Sequence, residues 1–204
     1  MKLKYIILIC CIAVTCFSCE SDKDIPFLYQ HFAQPISCEG ADKALMHEAL
    51  YTFQHDIARR YKTTTEVDTT AGVYFLDGYR NYIFRGTKGG AKYQEIQRSH
   101  TQKIVEQLLE KYPDFWIEQE RGVALNYNHP YVACILDKFT NPDVKLTIKN
   151  LREAHSYRPG MMAEVFRKNI SDVASDPYFA MYIALDTYYR NLITIQQENA
   201  VNND

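Results

Sequence analysis

The chain has 204 residues, of which 47% are hydrophobic and 13% aromatic, enough apolar side chains for one domain with a sizeable core. Its 23 basic and 25 acidic residues leave a formal net charge of −2, which argues against the basic face that nucleic-acid binding usually requires. The sequence contains no nucleotide, flavin, haem or metal motif, so no cofactor and no metal site are predicted.

The N-terminal segment carries the pattern of an export signal. Lys2 and Lys4 precede an apolar run over residues 5–17, and Ser18 and Cys19 follow that run. The run is 13 residues long. A membrane-spanning helix needs about 20 residues, so a permanent transmembrane anchor is the weaker interpretation.

These residues resemble the signal of a bacterial lipoprotein, whose cysteine is lipidated and becomes the first mature residue. The resemblance implies that residues 1–18 are removed and that Cys19 anchors the protein to the outer membrane. A cleaved secretory signal and an uncleaved anchor are the alternatives. The acidic stretch over residues 20–24 resembles a surface-export signal and equally suits a solvated tether, so both a periplasmic and a surface-exposed position stay open.

The mature chain divides into a tether, a domain and a tail. Residues 19–39 are predicted to form the lipidated tether, because Pro26 and Pro35 oppose regular structure. Helical periodicity dominates the rest, which predicts a helical domain over residues 40–199 and a disordered tail over residues 200–204.

Apolar side chains that recur every three or four residues predict the first three helices. Their predicted ranges are 41–62, 71–85 and 91–112. Pro113 ends the third of them, since proline cannot continue a helix.

The loop between the second and third predicted helices is a candidate anion-binding site. It contains Arg85, Lys88, Gly89, Gly90 and Lys92. Glycines let the backbone approach a ligand, and the amides of a following helix attract phosphate, sulfate or acidic glycan groups. A flexible helix–helix connection is the alternative interpretation.

Proline punctuates the second half of the chain. A proline preceded by a residue that can cap free amides is typical of a helix start, and Pro130, Pro142 and Pro177 stand in that position. The last four helices are therefore predicted at 130–139, 142–157, 160–174 and 177–197. No stretch alternates with a period of two, so the fold class is all-α: a compact single domain of about seven helices behind a short N-terminal tether.

Two cysteines lie beyond the lipid site. Export would place Cys38 and Cys134 in an oxidising compartment, where they can form a disulfide. The alternative is that Cys134, inside an apolar run, is a small buried hydrophobe. Neither cysteine lies in a CxxC motif or beside a histidine, which argues against a thiol enzyme.

Four histidines are candidate site residues. His47 and His55 lie opposite the apolar stripe of the first helix, which predicts a solvated polar face. His100 and His155 share faces with apolar residues, so both are predicted to point inward. Inward histidines can hold a ligand, a metal or a haem, or serve as a general base, although most are simply packed and hydrogen-bonded.

The sequence thus favours a binding or interaction role at the bacterial envelope: ligand capture, an accessory subunit or an immunity-type protein. It contains no Ser/His/Asp set and no evident pair of catalytic carboxylates. The expected partners are the membrane, through the lipid, and an envelope protein or a small ligand. The alternative is a small envelope enzyme, of the glycan or cell-wall hydrolase type, that uses an inward histidine with a carboxylate.

Overall fold

The structure, a computed structural model, describes residues 26–61, 72–88 and 90–201, without the side chains of residues 72–74 and 201. The predicted signal peptide, Cys19 and the tail beyond residue 201 therefore lie outside the described residues. Within them the chain is compact and mostly helical, so the all-α prediction is confirmed. None of the described helices is both long enough and apolar enough to cross a membrane.

Ten α-helices make up the described part of the domain. In chain order they are α1 Lys43–Tyr61, α2 Gly72–Gly86, α3 Tyr93–Ile96, α4 Ser99–Lys111, α5 Pro130–Asp137, α6 Pro142–Glu153, α7 Ala163–Lys168, α8 Ile170–Ser175, α9 Pro177–Ile183 and α10 Arg190–Val201. Two 3₁₀ turns cover Pro113–Phe115 and Pro159–Met162, and a π-helical turn, Ala184–Tyr189, joins α9 to α10.

The predicted proline starts of α5, α6 and α9 are confirmed. In each case the residue before the proline turns its side chain back onto the free amides of the first turn. The capping residues are His129, Asn141 and Asp176. The Asp176 carboxylate also accepts the backbone N–H and the hydroxyl of Thr140, so it fixes the preceding loop as well.

Two of the predicted helices are divided into separate helices in the structure, and a third, over residues 177–197, is interrupted by the π turn. The range 91–112 splits into α3 and α4, because Gln97 and Arg98 have extended backbones. With its backbone extended, Arg98 forms an ion pair through its side chain with the buried carboxylate of Asp56. The range 160–174 splits in the same manner into a 3₁₀ turn, α7 and α8.

A small β-hairpin joins α4 to α5, in a stretch where no strand was predicted. β1, Trp116–Glu118, pairs antiparallel with β2, Val123–Leu125. Gly122 turns the chain between them with a φ of 73°, a backbone conformation that favours glycine. Strands of three residues are too short to show an alternation in the sequence, which explains why the prediction missed them.

Helix α1 lies at the centre of the molecule. Its apolar stripe is fully buried against α2, α4 and the π turn. On the opposite stripe His47 is buried and Tyr51 and His55 are half-buried, so the predicted solvated polar face is wrong. A neighbouring segment of chain covers that side, and periodicity within the helix does not report such a cover.

The covering segment consists of residues 27–38 and is called the strap below. The sequence predicts that this segment belongs to the tether, but it lies along α1 with Tyr29 and Cys38 buried. A disulfide joins Cys38 to Cys134 of α5, with their Cα atoms 5.9 Å apart. The strap is thus fastened at one end by a covalent bond to the helical domain.

Candidate functional site

A cleft of about 850 Å³ opens beside α6. α5 and β1 supply apolar walls through Leu136 and Ile117, and the loop after β2 supplies the amides of Asn126 and Asn128. A concave site with apolar walls and a few polar groups is the usual form of a small-molecule site.

Two tyrosines form the base of the cleft. The rings of Tyr127 and Tyr157 meet edge to face with their centroids 5.2 Å apart. Each hydroxyl donates to a different oxygen of Asp186, at 2.6 Å in both cases. Tyr182 then donates to the Tyr157 hydroxyl at 2.8 Å. Both rings are therefore held by one carboxylate behind them.

The Asp186 carboxylate has no contact with solvent. It is fully buried, and burial raises its pKa although the tyrosine hydrogen bonds and the nearby Arg190 charge oppose that rise. Burial and the adjacent carboxylate also raise the pKa values of Tyr127 and Tyr157. The two phenols therefore stay protonated and keep donating to Asp186 at neutral pH.

A break in the regular helix brings Asp186 to this position. It lies in the π turn, where one extra residue widens the helix and disturbs the backbone ladder. Side chains compensate for that disturbance: Thr187 donates to the carbonyl of Ile183 at 2.7 Å, and Asn191 donates to the carbonyl of Thr187. π turns of this kind occur often at functional sites.

Three basic side chains of α6 line one wall of the cleft and are called the basic row below. They are Lys145, Lys149 and Arg152. The Arg152 guanidinium lies 4.7 Å from the centroid of the Tyr127 ring and donates to Asn128 Oδ1 at 3.4 Å. The row therefore adjoins the aromatic base directly, which brings positive charge to the cleft's interior.

His155 stands at the C-terminal end of the row. Its φ of 51° is left-handed, and among the described residues no other non-glycine has a positive φ. The N–H of His155 donates to the carbonyl of Arg152, and the N–H of Ser156 donates to that of Leu151, both at 2.9 Å. This is a Schellman motif, which usually places glycine where His155 stands. The exposed His155 lines the cleft instead of packing in the core.

His100 occupies a different environment. Its Nε2 lies 2.7 Å from Glu48 Oε1, and the backbone N–H groups of Leu28 and Tyr29 also donate to that carboxylate. Burial alone would raise the pKa of Glu48, but these hydrogen bonds bring it below its usual value. Since the strap covers this histidine–carboxylate pair and neither residue lines the cleft, His100 and His155 do not form one site.

A second buried carboxylate lies about two turns further along α1. Asp56 accepts hydrogen bonds from Arg98 Nε at 2.5 Å, from Tyr188 at 2.7 Å and from Thr101. Burial raises its pKa in spite of these partners. Because all three partners come from other elements, Asp56 links α1 to α4 and to the π turn. Its role in the structure is architectural.

The predicted anion-binding loop adopts a closed turn. The N–H of Gly90 donates to the carbonyl of Arg85 at 2.9 Å, and Lys92 pairs with Glu95 at 3.1 Å. The helix that follows, α3, has only four residues and so offers little dipole to an anion. Gly89 lies outside the described residues, and no described residue of the loop lines the cleft.

The described residues do not form a set of ligands for a metal ion. No group of three or more histidine, cysteine, aspartate or glutamate side chains among them is placed to hold an ion. The two cysteines among the described residues are bridged, and the carboxylates of Glu48, Asp56 and Asp186 accept hydrogen bonds from other side chains.

Sequence reasoning missed most of the cleft. The spacing of Lys145, Lys149 and Arg152 was visible, since residues at i, i+4 and i+7 share one face of a helix. A lone acid in an apolar run was the signal for Asp186. Nothing in the sequence, however, indicated that Tyr127 would meet it.

The cleft can therefore bind and orient a ligand, with positive charge on one wall, apolar groups opposite and a rigid aromatic base. It presents no nucleophile activated by a neighbouring base. Comparisons of the chain with protein-family models, with curated proteins and with solved structures found no match, so its function is argued from its own residues.

Proposed function

We propose that this chain is an outer-membrane lipoprotein of the bacterial envelope whose helical domain captures a small ligand. The lipid on Cys19 holds it at the membrane, and the cleft beside α6 binds the ligand. The signal-like pattern over residues 1–24 supports the first part. The geometry of the cleft supports the second.

The observation that carries the proposal is the prebuilt base of the cleft. Asp186 holds Tyr127 and Tyr157 by two short hydrogen bonds, so their rings are fixed before any ligand arrives. A preorganised site avoids the entropic cost of ordering side chains on binding. Burying a carboxylate costs desolvation free energy. A binding surface that needs two fixed rings would explain why the fold keeps this carboxylate.

The same geometry favours capture over catalysis. A hydrolase needs a carboxylate or a histidine–carboxylate pair that reaches the substrate. Asp186 lies behind the two tyrosines, and the Glu48 carboxylate lies beneath the strap with its oxygens already bonded. His155 does reach the cleft, where it can contact a ligand.

The test is to fill the cleft and ask whether an envelope-derived ligand is lost. Full-length protein is purified from envelopes in mild detergent, and its retained small molecules are identified by native mass spectrometry. Ala133→Trp places a large side chain in the cleft, since Ala133 is exposed on α5 and lines it. Ala33→Trp is the matched control, because Ala33 is exposed on the strap and does not line the cleft.

We expect the wild type and Ala33→Trp to retain the same ligand and Ala133→Trp to lose it. Equal retention by all three proteins would remove the cleft from the proposal. A stoichiometric protein partner that still binds the Ala133→Trp variant, with no small ligand, would indicate an accessory subunit instead.

The lipid anchor has its own test. Cys19→Ala should release a folded protein from the membrane fraction, and full retention in that fraction would contradict lipidation.

A further inference from the structure

We infer that the ligand of the cleft is an elongated anion with at least two negatively charged groups, which lies along α6 and is bound by the basic row and His155. This inference rests on the proposed function and names the chemistry of its ligand. Carboxylates on a short acidic oligosaccharide and phosphates on a small metabolite share this chemistry, and the experiment below separates them.

The spacing of the basic row sets the shape of the ligand. Lys145, Lys149 and Arg152 stand at i, i+4 and i+7, so they form one line along the helix. Seven residues of helix rise about 10 Å, so the three positive charges are spread over about 10 Å along α6. A single small anion would meet one or two of these side chains, whereas an elongated one meets all three.

The acidic groups that face the row are weak competitors for its charges. Glu153 lies 3.9 Å from Lys149, and the two side chains are 66% and 67% exposed. An ion pair that exposed contributes little, so a ligand anion can displace it at small cost. Asp137, the other carboxylate of the lining, engages Lys145 through its backbone carbonyl.

The backbone of His155 is the second, independent observation. A glycine at the C′ position of α6 would avoid the steric cost of a side chain on a residue with a left-handed backbone. The chain instead carries a histidine there, and its side chain lines the cleft. Backbone strain that is kept beside a binding cleft is typical of residues retained for contact with a ligand.

The experiment measures binding of three probes to the full-length protein in detergent by isothermal titration calorimetry. The probes are trigalacturonate, a trisaccharide with three carboxylates, inorganic tripolyphosphate, and the neutral trisaccharide maltotriose. We expect at least one anionic probe to bind, weakening as salt rises, while maltotriose does not. Tighter binding of trigalacturonate would indicate that the ligand is an acidic oligosaccharide. Tighter binding of tripolyphosphate would indicate that it is phosphorylated.

Charge variants locate the bound anion. For the tighter probe we expect Arg152→Gln to lower affinity about tenfold and Lys149→Gln about threefold, since each removes a charged donor. Glu153→Gln should raise affinity about threefold, because it removes a negative charge that repels the ligand anion and competes with it for Lys149. Lys103→Gln is the matched control: this exposed lysine of α4 lies outside the lining, and its change should leave affinity unchanged.

His155→Gly separates contact from structure. It should raise the melting temperature, since glycine suits the left-handed C′ position, and lower affinity at least threefold if the imidazole contacts the anion. Higher stability with unchanged affinity would remove His155 from the site.

The inference would be overturned if maltotriose bound as tightly as both anions, or if Lys103→Gln weakened binding as much as Arg152→Gln. Loss of the envelope ligand in Ala133→Trp together with full retention in Arg152→Gln would refute the anionic chemistry and leave ligand capture standing. Undiminished anion binding by Ala133→Trp would instead refute the cleft as the site, and with it the proposed function.

Discussion

At the scale of the residue, Asp186 illustrates how one buried acid can organise a surface. It has no exposure of its own, yet it determines the position of the two rings that a ligand would meet. A buried carboxylate is tolerated only when its oxygens are fully hydrogen-bonded. The tyrosines therefore stabilise the acid as much as the acid orients the tyrosines.

Asp186→Asn should destabilise the fold measurably. The amide keeps the volume but replaces one acceptor oxygen with a donor, so one of the hydroxyls of Tyr127 and Tyr157 loses its partner. We expect a loss of about 2 kcal/mol in the free energy of unfolding and a fall of roughly 6 °C in the melting temperature. Asp143→Asn on the exposed start of α6 is the control and should change stability by less than ~0.5 kcal/mol. Equal effects in both variants would contradict the role given to Asp186.

His55 makes a different contribution, one that depends on pH. Its ring stacks on Tyr29 of the strap with centroids 4.7 Å apart and planes within 4° of parallel. Burial, followed by the nearby Arg98 charge, lowers its pKa to about 4, while Glu48 acts in the opposite direction. The folded protein thus favours the neutral imidazole, whereas the unfolded chain takes up a proton near pH 6.5.

Stability from His55 should therefore be fully present above pH 6.5 and be lost as the pH falls from there to about 4. His55→Phe keeps an aromatic ring against Tyr29 but cannot titrate. We expect the wild type to lose roughly 2 kcal/mol more than the variant between pH 7 and pH 4, a value reduced by the partial exposure of the ring. Urea unfolding at several pH values measures the difference. Parallel curves for the two proteins would exclude a contribution from His55.

At the scale of the element, the sequence predicted helices well and their interruptions badly. The proline starts of α5, α6 and α9 were predicted because the capping residue stands directly before each proline. The break between α3 and α4 was missed because its cause, Asp56, lies 42 residues away from Arg98. Local periodicity carries no information about such a partner.

The packing of α2 on α1 offers a test at the same scale. A Cβ added at Gly78 would lie 2.8 Å from the Cα of Ala58, which is closer than the two helices can accept without moving apart. Gly78→Ala should therefore cost about 2 kcal/mol although alanine is the better helix former. Gly90→Ala, where the new Cβ meets its nearest atom at 3.4 Å, should be tolerated within ~0.5 kcal/mol. Thermal unfolding of both variants measures this, and a stable Gly78→Ala would show that α1 and α2 can separate freely.

The candidate site shows the same division between what was and was not predictable. The basic row is local to α6 and could be read from residue spacing. The base of the cleft joins Tyr127, Tyr157 and Asp186, which come from three separate segments of the chain. Only the folded topology brings them together, so no pattern within a single segment could have revealed them.

At the scale of the whole molecule, the strap and its disulfide tie the first described segment to the second half of the domain. The Cys38–Cys134 bond closes a loop with a sequence separation of 96 residues, and α5, which carries Cys134, also lines the cleft. A cross-link over so long a loop restricts the unfolded chain strongly. It therefore acts on the stability of the entire fold.

Replacing both cysteines by serine should lower the free energy of unfolding by about 4 kcal/mol in the chain-entropy account. Urea unfolding of the double variant Cys38→Ser/Cys134→Ser measures the loss, and wild-type protein in reductant is the parallel control. A loss below ~1 kcal/mol would indicate that the hydrogen bonds of Leu28 and Tyr29 to Glu48 hold the strap without the covalent link.

If Cys19 is lipidated as proposed, the position of the strap would also limit the distance between the domain and the bilayer. With a lipid on Cys19, only the seven residues 20–26 would lie between the anchor and the strap, and seven residues span at most about 25 Å when fully extended. The domain would thus stay within about 25 Å of the lipid headgroups. A tether of that length would restrict the domain to ligands and partners that come close to the membrane.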